Sequence, residues 1–163
     1  MKADIHPDYH TIKVPEDVER AVEADKGLLY GGDPDVVRFF KRGGKLLMYH
    51  GWTDQQVTPQ TSTIYYDKVL KTVGSDAASK GIALFMVPGM NHCQGGAGTD
   101  TFDKMAAIES WVATGSAPKR IVASHLTNGI VDKTRPLCPF PQGAKYKGSG
   151  DTNDAANFSC AAP

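Results

Sequence analysis

The sequence predicts an α/β fold built on a parallel sheet. Two short apolar runs, Lys45–His50 and Ile82–Val87, have the length of strands, and the first is bounded by glycines. Amphipathic stretches with helical spacing stand before, between and after them. The resulting order is helix, strand, loop, helix, strand, loop, helix, the alternation expected when crossover helices cover a parallel sheet.

Taken in order, residues 1–14 show no clear periodicity, and 1–30 read as a poorly specified leading segment. Within it, Pro15-Glu16-Asp17 opens a short helix through Val18, Ala21 and Val22, its acids complementing the positive end of the helix dipole. Asp33-Pro34 is expected to start a second short helix carrying Val36, Val37, Phe39 and Phe40, stopped by Gly43-Gly44. The first strand follows, then the loop Gly51-Trp52-Thr53-Asp54. Pro59 suits the first position of a helix whose stripe is Ile64, Tyr65, Val69, Leu70 and Val73. The second strand leads into a glycine-rich loop, Pro88 to Gly98, holding His92 and Cys93. Phe102, Met105, Ile108, Trp111 and Val112 mark a further helix closed by Gly115. Both strands are expected to be buried on two faces. Ile121–Ser124 is a candidate for one more strand. Residues 31–125 therefore form the α/β part, and 126–163 read as an irregular tail; after Pro136 it is rich in Pro, Gly, Asn and Asp, with a cysteine near each end, and is expected to be pinned by a disulfide.

Composition narrows the function. The chain has 163 residues, 40% hydrophobic and 22% charged, as in a packed domain. Eighteen basic residues balance eighteen acidic ones, which gives no reason to expect nucleic acid or an anionic membrane as partner. No apolar run approaches membrane-spanning length, and no apolar signal region follows Lys2. The expectation is either a cytoplasmic protein or a missing true N-terminus. Three cysteines leave one without an internal partner.

In an open parallel sheet, working residues sit just past the carboxyl ends of strands. Asp54 comes four residues after His50, and His92 five after Val87. One helix joins the two strands, so both loops are expected at one edge, where a carboxylate and an imidazole 38 positions apart can meet. Such a carboxylate fixes the imidazole tautomer and stabilises the imidazolium formed when histidine takes a proton from serine. The order of acid before histidine fits the triad order serine, acid, histidine of α/β-hydrolases, provided the serine lies upstream. The alternatives are plain: Asp54 as a turn former or helix cap, and His92 as a surface residue. Trp52 is expected to pack beneath its loop rather than line a site.

The stretch Gly43-Gly44-Lys45-Leu46-Leu47-Met48-Tyr49-His50-Gly51-Trp52-Thr53-Asp54 resembles the acid loop of the tannase/feruloyl esterase family. Val87-Pro88-Gly89-Met90-Asn91-His92-Cys93-Gln94-Gly95-Gly96 resembles its histidine loop. The tail, with Arg135-Pro136-Leu137-Cys138-Pro139-Phe140-Pro141, Tyr146-Lys147-Gly148-Ser149-Gly150 and Asn153-Asp154-Ala155-Ala156-Asn157-Phe158, is similar to the family's C-terminus. The likeness covers about residues 30–160. It implies the C-terminal part of an α/β-hydrolase sheet, an esterase acting on aromatic gallate- or ferulate-type esters, Asp54 as triad acid and His92 as general base. It also implies that Cys138 pairs with Cys160, while Cys93 would bond a cysteine beside a serine that this chain lacks. A zinc site from Cys93, Cys138, Cys160 and a histidine is the rival, unsupported by any Cys-x-x-Cys spacing; an inert buried thiol at Cys93 is a third reading.

No serine here has the nucleophile-elbow pattern Gly-x-Ser-x-Gly. The 44 residues before the first strand are too few for the earlier strands of a hydrolase core. The resemblance implies a lid domain, with the aromatic-acid pocket and a structural calcium site, of which this chain has almost nothing; no cofactor is expected within it. The chain alone is therefore expected to be inactive, with the rest of the hydrolase as its partner. The competing reading is a non-catalytic α/β binding module that keeps the scaffold. Family members are secreted or periplasmic, which suits a disulfide and makes the missing signal segment a matter of truncation.

Overall fold

The computed structural model describes residues 8–163, in two compact units divided between Asp33 and Pro34. The expectation for the first seven residues lies outside the described residues.

The first unit holds a 3₁₀ turn, Tyr9–Thr11, and helix α1, Glu16–Asp25. The expected acidic first turn is present, and the Asp17 carboxylate accepts the Lys13 backbone N–H at 2.8 Å, satisfying a donor ahead of the helix. At the other end Lys26 is left-handed, and Asp25 accepts the N–H groups of Leu29 and Tyr30.

The second unit begins with α2, Val37–Lys41, shorter than expected from Asp33-Pro34. Residues 33–36 stay outside the helix, where Asp35 accepts the Val37 N–H from a local turn. Strand β1, Leu46–Gly51, is followed by α3, Gln60–Val73, a short α4, Ser75–Ser79, that was not foreseen, and strand β2, Ile82–Val87. The two strands are parallel and in register from Leu46↔Ile82 to Gly51↔Val87, so their carboxyl ends share one edge. Helix α5, Lys104–Thr114, starts at an N-cap, Asp103, which accepts the Ala106 N–H at 2.8 Å, and ends at left-handed Gly115.

Strand alternation sorts the core into two layers. Leu47, Tyr49, Ala83, Phe85 and Val87 face Trp111 and Ile108 of α5, with Met90 packed among them. Leu46, Met48 and Ile82 face Val69, Tyr65, Tyr66 and Leu70 of α3. The helix stripes differ in detail from the spacing. Ile64, Met105 and Val112 are exposed, and Tyr66 joins the buried side in place of Ile64. A helix buries only the arc its sheet covers, so apolar residues at the margin of a stripe remain in solvent.

Strand β2 is buried throughout, but β1 is only half-buried, against the expectation for both strands. The reason is position. On the side away from β1, β2 pairs with the tail through the Phe85↔Pro139 bridge, and Phe140 N–H donates to Leu84 at 2.8 Å. Among the described residues β1 has one strand neighbour only, so its other edge is unpaired.

The stretch expected to be an irregular tail from residue 126 is mostly regular. Strands β3, Ile121–Thr127, and β4, Ile130–Leu137, form an antiparallel hairpin closed by Asn128-Gly129, both with positive φ. An Asn-Gly pair between strand-forming runs is a strong hairpin signal, so this element was readable and was missed. Strands β5, Gly143–Tyr146, and β6, Phe158–Ala161, form a second antiparallel pair. The Cys138–Cys160 disulfide joins the end of β4 to β6, as the resemblance implied, and the Arg135 guanidinium stacks 4.3 Å over Phe158.

Candidate active site

The loops after β1 and β2 lie against each other because the chain is stripped of side chains where they cross. A Cβ on Gly51 would strike the backbone carbonyls of Met90 and Asn91, so only glycine fits at the end of β1. The crossing is then latched. Thr53 donates its hydroxyl to the Met90 carbonyl at 2.7 Å, and the Gln55 amide donates to Asn91 Oδ1 at 3.1 Å. Met90, fully buried in the core, anchors the second loop two residues before His92.

This packing brings together the two residues singled out from the sequence. His92 Nδ1 lies 2.8 Å from Asp54 Oδ2. The Asp54 side chain is 2% exposed and that of His92 42%. Asp54 Oδ1 accepts the backbone N–H groups of Gln56 at 2.8 Å and Val57 at 2.9 Å. Burial pushes the Asp54 carboxyl up, but the Val57, His92 and Gln56 hydrogen bonds and the charge of His92 outweigh it, holding the group well below the usual carboxylate range. An ionised carboxylate only accepts, so the proton on their shared contact sits on His92 Nδ1. Nε2 of His92 is then the acceptor that remains for another proton.

Two further residues belong to the site and were not singled out as such. His50, taken as the last residue of a strand, places Nε2 3.0 Å from Asp54 Oδ2 and Nδ1 2.7 Å from Ser62 Oγ. The His50-x-x-x-Asp54 spacing was the available signal. Ser62, set aside as a nucleophile for lack of an elbow, sits in α3. The row Ser62–His50–Asp54 has the composition of a triad, yet its serine is part-buried in a helix rather than displayed on a strand-to-helix turn.

The remaining sequence expectations divide. Trp52 is 42% exposed and, with Met86, Pro88 and Phe140, lines an apolar cleft of about 400 Å³, so it does not pack beneath its loop. Cys93 is a free, exposed thiol with positive φ, which overturns the reading of an inert buried one. The disulfide takes Cys138 and Cys160 out of any zinc site, and among the described residues no group of three or more His, Cys, Asp or Glu could hold a metal ion. No helix among the described residues is long and apolar enough to cross a membrane.

The chain is similar to several known proteins. The chain is 47% identical over 136 residues to a mono(2-hydroxyethyl) terephthalate hydrolase of Piscinibacter sakaiensis, covering 79% of this chain and 22% of that one. It is 33% identical over 147 residues to a probable feruloyl esterase B-1 of Aspergillus flavus, covering 78% and 28%. Among solved structures, an esterase from Aspergillus oryzae superposes with a TM-score of 0.84 at 31% identity, over 96% of this chain and 34% of that one. Feruloyl esterase B from the same species superposes with a TM-score of 0.82 at 27% identity and the same coverage. The chain thus spans about a fifth to a third of the length of the curated relatives it matches. Since residues 4–161 match the family model described as tannase and feruloyl esterase, the chain belongs to the tannase and feruloyl esterase family.

Proposed function

We propose that this chain supplies the acid and the base of a serine-type carboxylic ester hydrolase acting on esters of aromatic acids. The reading rests on one observation above all: a buried, ionised carboxylate, Asp54, binds Nδ1 of a half-exposed imidazole, His92, whose Nε2 is left to accept a proton. Relatives named as hydrolases of feruloyl and terephthalate esters support the aromatic class.

The serine is carried outside these residues, since no serine among those described stands on a strand-to-helix turn. The open edge of β1 is where the preceding part of the hydrolase sheet joins. In the joined enzyme, the serine oxygen attacks the ester carbonyl while its proton passes to His92 Nε2, and Asp54 stabilises the resulting imidazolium. Backbone N–H groups hold the oxyanion. The intermediate collapses with loss of the alcohol, which takes the proton from His92, leaving an acyl-enzyme. Water then attacks as His92 removes its proton, the acid departs, and the proton returns to serine. The Cys138–Cys160 disulfide supports an exported protein.

The test is hydrolysis of methyl ferulate. The 163-residue chain alone should give no turnover, and the chain joined to a nucleophile-bearing upstream segment should give turnover lost in His92→Ala. Turnover by the chain alone that depends on His92 would contradict the assignment of the serine.

A further inference from the structure

Asp54 Oδ2 meets two imidazoles, and the proposed mechanism uses only one. The partners of the other, His50, assign its protons. Its Nε2 faces Asp54 Oδ2 at 3.0 Å and the Val57 carbonyl at 3.3 Å, both acceptors, so Nε2 carries hydrogen. Its Nδ1 lies 2.7 Å from Ser62 Oγ, which donates to it when the ring is neutral. The His50 side chain is 11% exposed, so water does not readily replace these partners. With the N–H groups of Gln56 and Val57 on Oδ1 and the rings of His50 and His92 on Oδ2, four donors fill the carboxylate's accepting capacity of about four lone-pair sites. Both of these histidines are titratable, and both bond the same oxygen of Asp54.

We infer that His50 is a positioning residue, which shares Oδ2 with His92 and, with its Nε2–H directed by Asp54 and the Val57 carbonyl and its Nδ1 held by Ser62, fixes the plane of the Asp54 carboxylate that aims the His92 ring. The backbone donors hold only Oδ1, about which the group could still pivot; His50 removes that freedom. It comes from the strand itself, and Ser62 from the helix behind it, so the acid is braced by rigid elements rather than by its loop alone. His50 touches no reacting atom and acts through Asp54. This inference rests on the reading of Asp54 and His92 as acid and base.

Histidine side-chain NMR of the 163-residue chain tests it. The wild type should show two low-field ring protons, on His50 Nε2 and His92 Nδ1. In His50→Leu the His92 proton should move downfield, because Oδ2 then serves one ring instead of two. His50→Gln, whose amide can donate to the same oxygen, should restore its position. Ser62→Ala, which avoids the risk that a buried leucine disturbs folding, should leave the proton on His50 Nε2 but loosen the ring, so that the His92 proton moves part of the way it moves in His50→Leu. An unshifted His92 proton in folded His50→Leu, or in Ser62→Ala, would overturn the inference. Failure of the underlying pair is distinguishable: the wild-type His92 would then lack a low-field Nδ1 proton, or keep it in Asp54→Asn.

Discussion

His92 Nδ1 stands 2.8 Å from Asp54 Oδ2, although the two residues are 38 positions apart and sit on separate loops. One side of the pair is buried and the other opens to solvent. That asymmetry suits a carboxylate that stays charged and an imidazole that exchanges protons.

The depressed Asp54 carboxyl ties stability to acid. Its ordinary value is about 3.9 and its folded value is lower, so its contribution is complete above about pH 4 and is lost as pH falls towards the folded value. The urea midpoint of the wild type should therefore exceed that of Asp54→Asn at neutral pH, with the gap narrowing below about pH 4. A gap independent of pH would mean that the carboxyl is not specially stabilised in the fold.

The disulfide closes a separation of 22 residues between β4 and β6. Replacing Cys138 and Cys160 by alanine should lower unfolding free energy by about 3 kcal/mol, read from denaturant titration. No change would mean that β5 and β6 are held by packing alone.

Thiol chemistry separates the three cysteines. Cys93 is free and exposed, while Cys138 and Cys160 are bonded. A thiol reagent should modify one cysteine in the native oxidised chain, at Cys93, and all three after reduction and unfolding. Native labelling at Cys138 or Cys160 would contradict the pairing.

Gly51 has no room for a methyl group against the carbonyls of Met90 and Asn91. Gly51→Ala should destabilise the chain by about 1–3 kcal/mol and shift the His92 ring resonances, since the two loops would be forced apart. Wild-type stability and spectra would show that the loops do not cross there.

Much of this was legible in the sequence. The parallel pair followed from two six-residue apolar runs and the helix between them, and that topology alone placed Asp54 and His92 at one edge. The β3–β4 hairpin was equally legible at Asn128-Gly129 but was lost among the polar residues around it. Strands β5 and β6 were harder, because four-residue strands held by a disulfide carry little alternation of their own. His50 was hidden by its position. A histidine ending an apolar run reads as strand, and its bond to Ser62 depends on how α3 packs against β1, which no local pattern states.

The most direct test of the acid–base pair is a double-mutant cycle on methyl ferulate hydrolysis, made in the chain joined to its nucleophile-bearing segment. Asp54→Asn and His92→Ala should each lower kcat by about 10³–10⁴-fold, and the double variant should be little worse than His92→Ala, because the two residues act as a unit. Losses that multiply, or a His92→Ala enzyme with wild-type turnover, would contradict it.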